Sequence, residues 1–312
     1  MKNLILGKYT NGNYDVVIFS DGTKIRRTEA NKFVPAFPEN ADVKITDRCS
    51  QGCPFCYEGC TRGGRHAALV NPDGTFAQKW MDTLHPYTEL AINGNDLDHP
   101  QLEEFLLKMQ AKHIVVNVTV NQNQFMKNVK WLRYLTSVKM IYGVGVSLVN
   151  ADDQDFIREF KTFDNTVLHT IAGILTIEQL QKFSDAGVKI LILGYKVLGR
   201  GKDYIKKHLP DIEKNIFDLK DNLKWIVEHF KVLSFDNLAI EQLDVKKVLF
   251  TGREKEWEEF YMGDDGNFTL YIDAVDQKFA KNSRMEEEER FECGDLTMEE
   301  MFNTIRKEYG II

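Results

Sequence analysis

Hydrophobic and polar positions near the N-terminus alternate with the period of two that is typical of β-strands. The runs LILGKY, NYDVVIF and TKIRR within residues 4–27 are separated by Asn-Gly and Asp-Gly pairs, which are strong signals for β-hairpins. This pattern predicts a small antiparallel cap of two or three strands, interpreted as an edge of the main sheet. Pro35 and Pro38 then mark a linker.

From residue 41 onward, near-continuous apolar runs alternate with stretches of helical period. Apolar strands that alternate with helices are typical of a parallel sheet covered on both faces. With right-handed crossovers, such a sheet curls into a partial (β/α)6 barrel. Strands are predicted at 43–46, 89–93, 114–120, 141–149, 166–172 and 188–193, and helices at 76–85, 100–112, 123–136, 152–163 and 176–186.

The last third of the chain has a mixed pattern. Residues 202–230 carry apolar side chains at helical spacing, and residues 233–250 are predicted to close the open side of the barrel. Residues 257–279 return to a β pattern around a Gly-Asp-Asp-Gly turn. The acidic run 286–289 is interpreted as a solvated loop, and a short helix is predicted at 297–308.

These elements predict an α/β fold with three regions. They are a β-hairpin cap with its linker (1–40), the barrel (41–235) and a C-terminal α+β extension (236–312). The chain has 312 residues, of which 43% are hydrophobic and 28% charged, and this is an ordinary globular composition.

Charge and hydropathy exclude some classes of partner. The net charge of −7 makes nucleic acid an unexpected partner, because binding phosphates needs a basic surface. No run approaches the ~18 apolar residues of a membrane span. The N-terminal apolar run is too short for a signal peptide. A cytoplasmic protein without membrane contact is therefore predicted.

The residues that carry chemistry are concentrated in one stretch, DVKITDRCSQGCPFCYEGC, which contains the first predicted barrel strand and the loop directly after it. Cys49, Cys53 and Cys56 have the spacing C-x3-C-x2-C, Phe55 precedes the third cysteine, and Cys60 follows. Three thiolates on one loop can hold three irons of a [4Fe–4S] cube and leave the fourth iron open to a small molecule.

Other uses of these cysteines fit the spacing less well. A structural zinc site takes four ligands, usually in well-separated pairs. A bacterial ferredoxin run has a shorter first gap and a proline after its last cysteine. The chain has five cysteines, an odd number, and nothing marks it as secreted, so disulfides are not expected.

The cysteine spacing and the aromatic residue together resemble the signature of the radical S-adenosylmethionine (SAM) superfamily. The resemblance implies that Cys49, Cys53 and Cys56 ligate one [4Fe–4S] cluster whose free iron binds the methionine end of SAM, with Phe55 near the adenine. It implies the same partial barrel, reductive cleavage of SAM to a 5′-deoxyadenosyl radical, and hydrogen abstraction from a substrate. A small electron-donor protein of the flavodoxin or ferredoxin type is the implied reductant.

Further SAM contacts are expected at the carboxyl ends of the strands, where parallel α/β sheets place their sites. The stretch after the second barrel strand resembles the family's Gly-Gly-Glu-Pro motif, which implies that it holds the SAM ammonium through carbonyl oxygens. The same residues also make a good turn without any ligand. Aligned on the His-Pro pair that follows, the four positions are Asn93, Gly94, Asn95 and Asp96.

Three more positions at strand ends complete the predicted SAM site. The resemblance implies that Asn121 lies near the ribose and that Ser147 faces the same mouth of the barrel. Tyr195, just beyond the sixth strand, is a candidate contact for a carboxylate of SAM or of the substrate. Asn and Ser are also common helix caps, so each assignment has a structural alternative.

The wider role has three candidate answers. The tail loosely resembles the SPASM/Twitch extensions of peptide-modifying radical SAM enzymes, although its single cysteine, Cys293, cannot hold a second cube. A peptide or protein side chain is the favoured substrate, paired with an exposed strand edge of the N-terminal hairpin or of 257–279. The alternatives are a radical SAM enzyme acting on a small metabolite or purine-like base, and a non-catalytic Fe–S or zinc protein that retains the fold. Cys60 and Cys293 are predicted not to be ligands.

Overall fold

The computed structural model of the chain describes residues 4–93 and 97–312. Gly94, Asn95 and Asp96 of the predicted SAM site lie outside the described residues. The described strands are β1 (Ile5–Asn11), β2 (Tyr14–Phe19), β3 (Lys24–Arg27), β4 (Asn40–Lys44), β5 (Glu89–Asn93), β6 (Val115–Asn121), β7 (Gly143–Ser147), β8 (Thr166–Ile171), β9 (Lys189–Leu193), β10 (Val232–Phe235), β11 (Thr269–Asp273), β12 (Lys278–Ala280) and β13 (Phe291–Glu292).

Helices follow most of the barrel strands. A short 3-10 turn at Glu287–Glu289 replaces the loop predicted for the acidic run. The described α-helices are α1 (Lys79–Asp82), α2 (Leu102–Ala111), α3 (Gln122–Ser137), α4 (Gln154–Thr162), α5 (Ile177–Gln181), α6 (Gly201–Asp221), α7 (Leu223–His229), α8 (Asn237–Gln242), α9 (Val245–Phe250), α10 (Glu254–Phe260) and α11 (Met298–Glu308).

The main sheet has the order β10-β9-β8-β7-β6-β5-β4-β11-β12-β13. All strands from β4 to β11 pair in parallel, and β12 and β13 add antiparallel strands at one end. The predicted α/β fold with a partial barrel is confirmed, with β4 to β9 as its six predicted strands. The parallel array is longer than predicted, because β10 extends it at one side and β11 at the other.

One face of the main sheet packs in the hydrophobic core, and the other face carries exposed side chains. Ala41 and Val43 of β4 belong to the hydrophobic core, whereas Asp42 between them is exposed. Asp42 aligns with Ala91 of β5, which in turn aligns with Asn117 of β6. Because successive side chains of a strand point to opposite faces, these residues line the concave face, here called the lumen.

The N-terminal strands form a separate sheet of order β1-β2-β3, so their interpretation as an edge of the main sheet was wrong. The Lys24 ammonium of β3 lies 2.7 Å from Asn40 Oδ1 and 2.7 Å from Glu89 Oε2, at the first residues of β4 and β5. The N-terminal sheet therefore lies against the amino ends of the barrel strands, where its lysine forms an ion pair with a carboxylate of β5.

The β pattern predicted for 257–279 was partly wrong. Residues 257–260 belong to α10, since Trp257 and Phe260 both lie against Phe250 of α9 with ring centroids 5.4 and 5.1 Å apart. The strand β11 lies between β4 and β12, so it offers no free edge to a peptide.

The open side of the barrel is bridged from two directions. Residues 233–250 supply β10, α8 and α9 on one side. From the other side, the segment between β12 and β13 reaches across: Ser283 accepts a hydrogen bond from Lys196 at 2.8 Å, and Arg284 lies 3.4 Å from Glu241 of α8. Residues 233–250 thus close the barrel from one side, as predicted, and the segment between β12 and β13 closes it from the other.

No helix in the described ranges combines the length and the hydropathy that crossing a membrane requires.

Candidate functional site

The cysteine loop, residues 46–61, begins directly after β4, as predicted. At its base, the Cys49 amide donates to the Thr61 carbonyl at 2.8 Å, and the Thr61 amide donates to the Asp47 carbonyl at 3.0 Å. At its tip, the Cys56 amide donates to the Cys53 carbonyl at 3.3 Å. These bonds bring all the loop cysteines to the carboxyl end of the sheet.

The thiols of the loop influence one another. Cys49 and Cys60 are buried, while Cys53 and Cys56 are partly exposed. A hydrogen bond from Cys60 lowers the pKa of Cys56 to about 6. Burial raises the pKa of Cys53, and the nearby Cys56 and Cys49 raise it further.

Cys49, Cys53 and Cys56 lie on one loop, and the first and third act electrostatically on the second. Three thiolates are the donor set that a [4Fe–4S] cube requires. Across residues 4–93 and 97–312, however, no three His, Cys, Asp or Glu side chains already have the arrangement of a metal site. Cys293 has a different environment from the loop cysteines. It is buried in the hydrophobic core with Ile305 and Met298, and burial raises the pKa of its thiol to about 12.

A buried charge cluster fixes the root of the loop. The Lys44 ammonium lies 2.9 Å from Asp273 Oδ2, 3.0 Å from Asp47 Oδ1 and 3.6 Å from Glu58 Oε2. Burial alone would lower the pKa of Lys44, but Glu58 and Asp273 raise it above its ordinary value. Glu58 lies between two loop cysteines and accepts a hydrogen bond from Tyr271 of β11 at 3.2 Å. These contacts attach the loop to β4 and to β11.

Sequence reasoning missed this cluster. The signal in the sequence is Lys44 itself, a charged residue within an apolar strand, and such a residue is rarely buried without a partner.

Asn121 lies at the end of β6 and uses only part of its side chain for contacts within the protein. Its Oδ1 caps α3 by accepting from the Gln124 amide at 3.0 Å, whereas its Nδ2 is buried and has no hydrogen-bond partner among the described residues. Buried polar groups are nearly always paired. The side chain therefore serves as a helix cap with its oxygen, and its Nδ2 donor is unpaired among the described residues.

The other strand-end residues lie beside Asn121 in register. Ser147 aligns with Asn121, and His169 aligns with Ser147. Asn93 aligns with Lys44 at the other side of the mouth. Ser147 and Asn93 are partly exposed. The structure thus brings Asn93, Asn121 and Ser147 to one edge of the barrel.

The polar groups of Tyr195 are engaged in contacts within the protein. Its side chain is buried and its hydroxyl donates to the Gly201 carbonyl at 2.9 Å. Its amide and carbonyl both pair with the Gln242 side chain. Tyr195 is therefore part of the barrel wall and has no free group for a ligand carboxylate.

Phe55 lies on the tip of the loop with its ring partly exposed. Its edge contacts Tyr204 in the first turn of α6, with ring centroids 5.7 Å apart. The contact with α6 thus holds the ring at the mouth of the barrel.

Small residues and a histidine line the lumen below the mouth. The inward positions Ala91, Gly143 and Gly145 have little or no side chain, and the His169 ring lies across Gly145, where an added Cβ would be 2.3 Å from His169 Cε1. Burial lowers the pKa of His169 to about 4, so this histidine is neutral at pH 7. Asp42 lies on the same face. Although its side chain is accessible, desolvation by the surrounding protein raises its pKa to about 6, and Lys196 acts in the opposite direction.

Comparison with known proteins gives the fold and leaves the chemistry open. No family model and no curated protein matches this chain. The crystal structure of Streptococcus suis SuiB bound to S-adenosylmethionine matches with a TM-score of 0.55 at 11% identity, over 91% of this chain and 82% of that one. The chain shares its fold. Native anSMEcpe with bound AdoMet matches with a TM-score of 0.50 at 13% identity, over 86% of this chain and 82% of that one.

Proposed function

We propose that the chain is a radical SAM enzyme that ligates one [4Fe–4S] cluster through Cys49, Cys53 and Cys56 and cleaves SAM reductively. The observation that carries the proposal is a loop with the three cysteines at the carboxyl end of β4, in a fold shared with two proteins whose structures contain SAM. When bound, the cluster and SAM supply a 5′-deoxyadenosyl radical that abstracts hydrogen from the substrate; the protein binds, orients and excludes water.

The SAM site is proposed from the side chains around the mouth. Asn121 offers its unpaired Nδ2 donor, and Ser147 offers a hydroxyl beside it. Phe55 offers a ring face to the adenine. Asn93 stands at the end of β5, where the residues that follow are proposed to accept hydrogen bonds from the SAM ammonium. Tyr195 is proposed to act only by shaping the wall.

The reductant is proposed to be a small electron-donor protein of the flavodoxin or ferredoxin type. Cys53 and Cys56 are partly exposed, so an electron donor can approach the loop from solvent.

A peptide or protein side chain remains the proposed substrate, inserted into the lumen beside Asp42. Asp42 is exposed on this face, and its register neighbour Ala91 has only a small side chain. Pairing with a strand edge no longer supports this proposal, because β11 is paired on both sides and the N-terminal sheet lies at the opposite end of the barrel strands. A small metabolite or purine-like base would bind on the same face and remains the second candidate.

Anaerobic protein reconstituted with iron and sulfide should produce 5′-deoxyadenosine from SAM in the presence of dithionite, slowly and without substrate. The reason is that cleavage needs only the cluster and bound SAM. Chromatography of the quenched reaction measures the product, and a reaction without dithionite is the control. Tight SAM binding with no product under strict anaerobiosis would favour the non-catalytic alternative.

Asn121→Asp should weaken SAM binding about tenfold, the size of one lost hydrogen bond to a charged or polar ligand group. Aspartate is as good a helix cap as asparagine, so α3 keeps its cap and only the Nδ2 donor is replaced. Calorimetry on the reconstituted protein measures the Kd, and Asn31→Asp at an exposed position before β4 is the control. Equal affinities of the two variants would remove Asn121 from the site.

A further inference from the structure

The segment between β9 and α6 lies directly against the cysteine loop. Gly199 has a φ of +48°, and a Cβ there would be 2.4 Å from the Tyr57 carbonyl oxygen and 2.9 Å from that of Cys56. A Cβ at Gly201 would lie 2.6 Å from the Lys196 carbonyl oxygen. Neither position has room for a side chain. At Gly199 the reason is that the backbone of this segment packs directly against the backbone of the loop.

Arg200 stands between these glycines and contacts three of the four loop cysteines through their main chain. Its Nε donates to the Cys53 carbonyl at 2.9 Å, and one terminal nitrogen donates to the Cys60 carbonyl at 2.9 Å. Its own amide donates to the Cys56 carbonyl at 3.0 Å. The loop residues 53–60 are therefore held from one side by a single planar group and the peptide unit next to it.

The geometry of the guanidinium explains why an arginine is needed here. Its N–H groups form a rigid fork that can reach two acceptors at once, whereas a lysine ammonium is a point charge on a flexible stem. The partners of the fork are carbonyl oxygens, which do not neutralise the charge. A full positive charge is thus placed beside the tip of the loop.

We infer that Arg200 is a positioning residue for the cluster: it fixes the loop that carries Cys53 and Cys56, and its charge makes the bound cluster easier to reduce. This inference rests on the proposed function, since it assumes that the loop holds the cluster. The electrostatic part follows because reduction adds negative charge, which a nearby cation stabilises, and because local charge and hydrogen bonding set Fe–S potentials.

Two substitutions separate the geometric part from the electrostatic part. Arg200→Gln removes the charge and the fork, while Arg200→Lys keeps the charge and removes the fork. Arg62→Gln, an exposed position just after the loop, is the control for the loss of one positive charge. The readouts are iron per chain after reconstitution and desalting, the midpoint potential from a redox titration followed by electron paramagnetic resonance, and the alkylation rates of Cys53 and Cys56 in the iron-free chain.

Arg200→Gln should at least halve the retained iron and shift the midpoint potential to more negative values. Arg200→Lys should lose a similar share of iron but keep a potential close to that of the unchanged protein. Both variants should show severalfold faster alkylation of Cys53 and Cys56, and Arg62→Gln should match the unchanged protein in every readout.

Alkylation rates and a potential unchanged in Arg200→Gln would overturn the inference. Faster alkylation with an unchanged potential would overturn its electrostatic part. If the unchanged protein itself retains no iron, the proposed function fails, and the alkylation rates still decide whether Arg200 holds the loop.

Discussion

Cys53→Ala should lose the cluster and form no 5′-deoxyadenosine above background. The reason is that two remaining thiolates of the set cannot hold a cube that needs three protein ligands. Reconstituted unchanged protein should contain about four irons per chain, as the cube stoichiometry requires. Iron analysis, the visible absorption of the cluster and the chromatographic assay measure the outcome, and Cys49→Ala and Cys56→Ala should behave in the same way.

Cys60→Ala is the matched control within the same loop. Its thiol donates a hydrogen bond to Cys56, so its removal should change the surroundings of one ligand and leave the iron content at about four per chain. Cys293→Ala should also retain the iron. A fall of Cys60→Ala to background iron would show that four cysteines act together, as in a closed cluster.

Arg26→Met should lower the free energy of unfolding by about 3–5 kcal/mol, the cost of leaving a buried charge without its partner. Glu39 is 1% exposed, and its carboxylate accepts two hydrogen bonds from Arg26, at 2.8 and 2.7 Å. Lys24 lies 3.4 Å away and gives only part of the compensation. Urea unfolding followed by circular dichroism measures the loss, and Arg27→Met on the exposed face of β3 should have little effect.

The same pair predicts how stability depends on pH. Burial would raise the pKa of Glu39, but hydrogen bonding to Arg26 and the charge of Lys24 hold it below its ordinary value. The stabilisation is therefore complete at neutral pH and is lost as the pH falls through the lowered pKa of the folded state. In Arg26→Met the pKa of Glu39 should rise, so the deficit against the unchanged protein should shrink in acid. A deficit below about 1 kcal/mol at pH 7 would be that of an ordinary surface ion pair.

The central strands could be predicted from the sequence because their pattern is local. The bounds of β5 to β9 follow apolar runs, and β5, β6 and β7 end in the polar residues Asn93, Asn121 and Ser147. Each run is long enough to be buried on its own. β4 was predicted three residues too late, at 43–46, because Ile45 and Thr46 also suit a strand. The chain leaves the sheet at Lys44, since that side chain needs carboxylates from outside the strand.

Contacts between distant parts of the chain could not be predicted in the same way. The pairing of β11 with β4 depends on a register that neither strand specifies alone. The aromatic residues of 257–260 suit strands and helices equally, and packing against Phe250 decides for the helix. Within the candidate site, the position of the cysteine loop after the first barrel strand could be predicted from the sequence. The contacts of Tyr195 with Gln242 and Gly201 could not, because only the fold brings Gln242 near it.

The charge cluster at the root of the loop has a consequence for biosynthesis. Lys44 and Asp273 are separated by 229 residues, and Glu58 and Tyr271 by 213. At about 5–20 residues per second, a ribosome makes the cysteines roughly 10–40 s before the strand that completes their support. During that interval the thiols belong to an unfinished barrel, so iron delivery should follow release of the whole chain, and nascent chains arrested before Thr269 should carry no cluster.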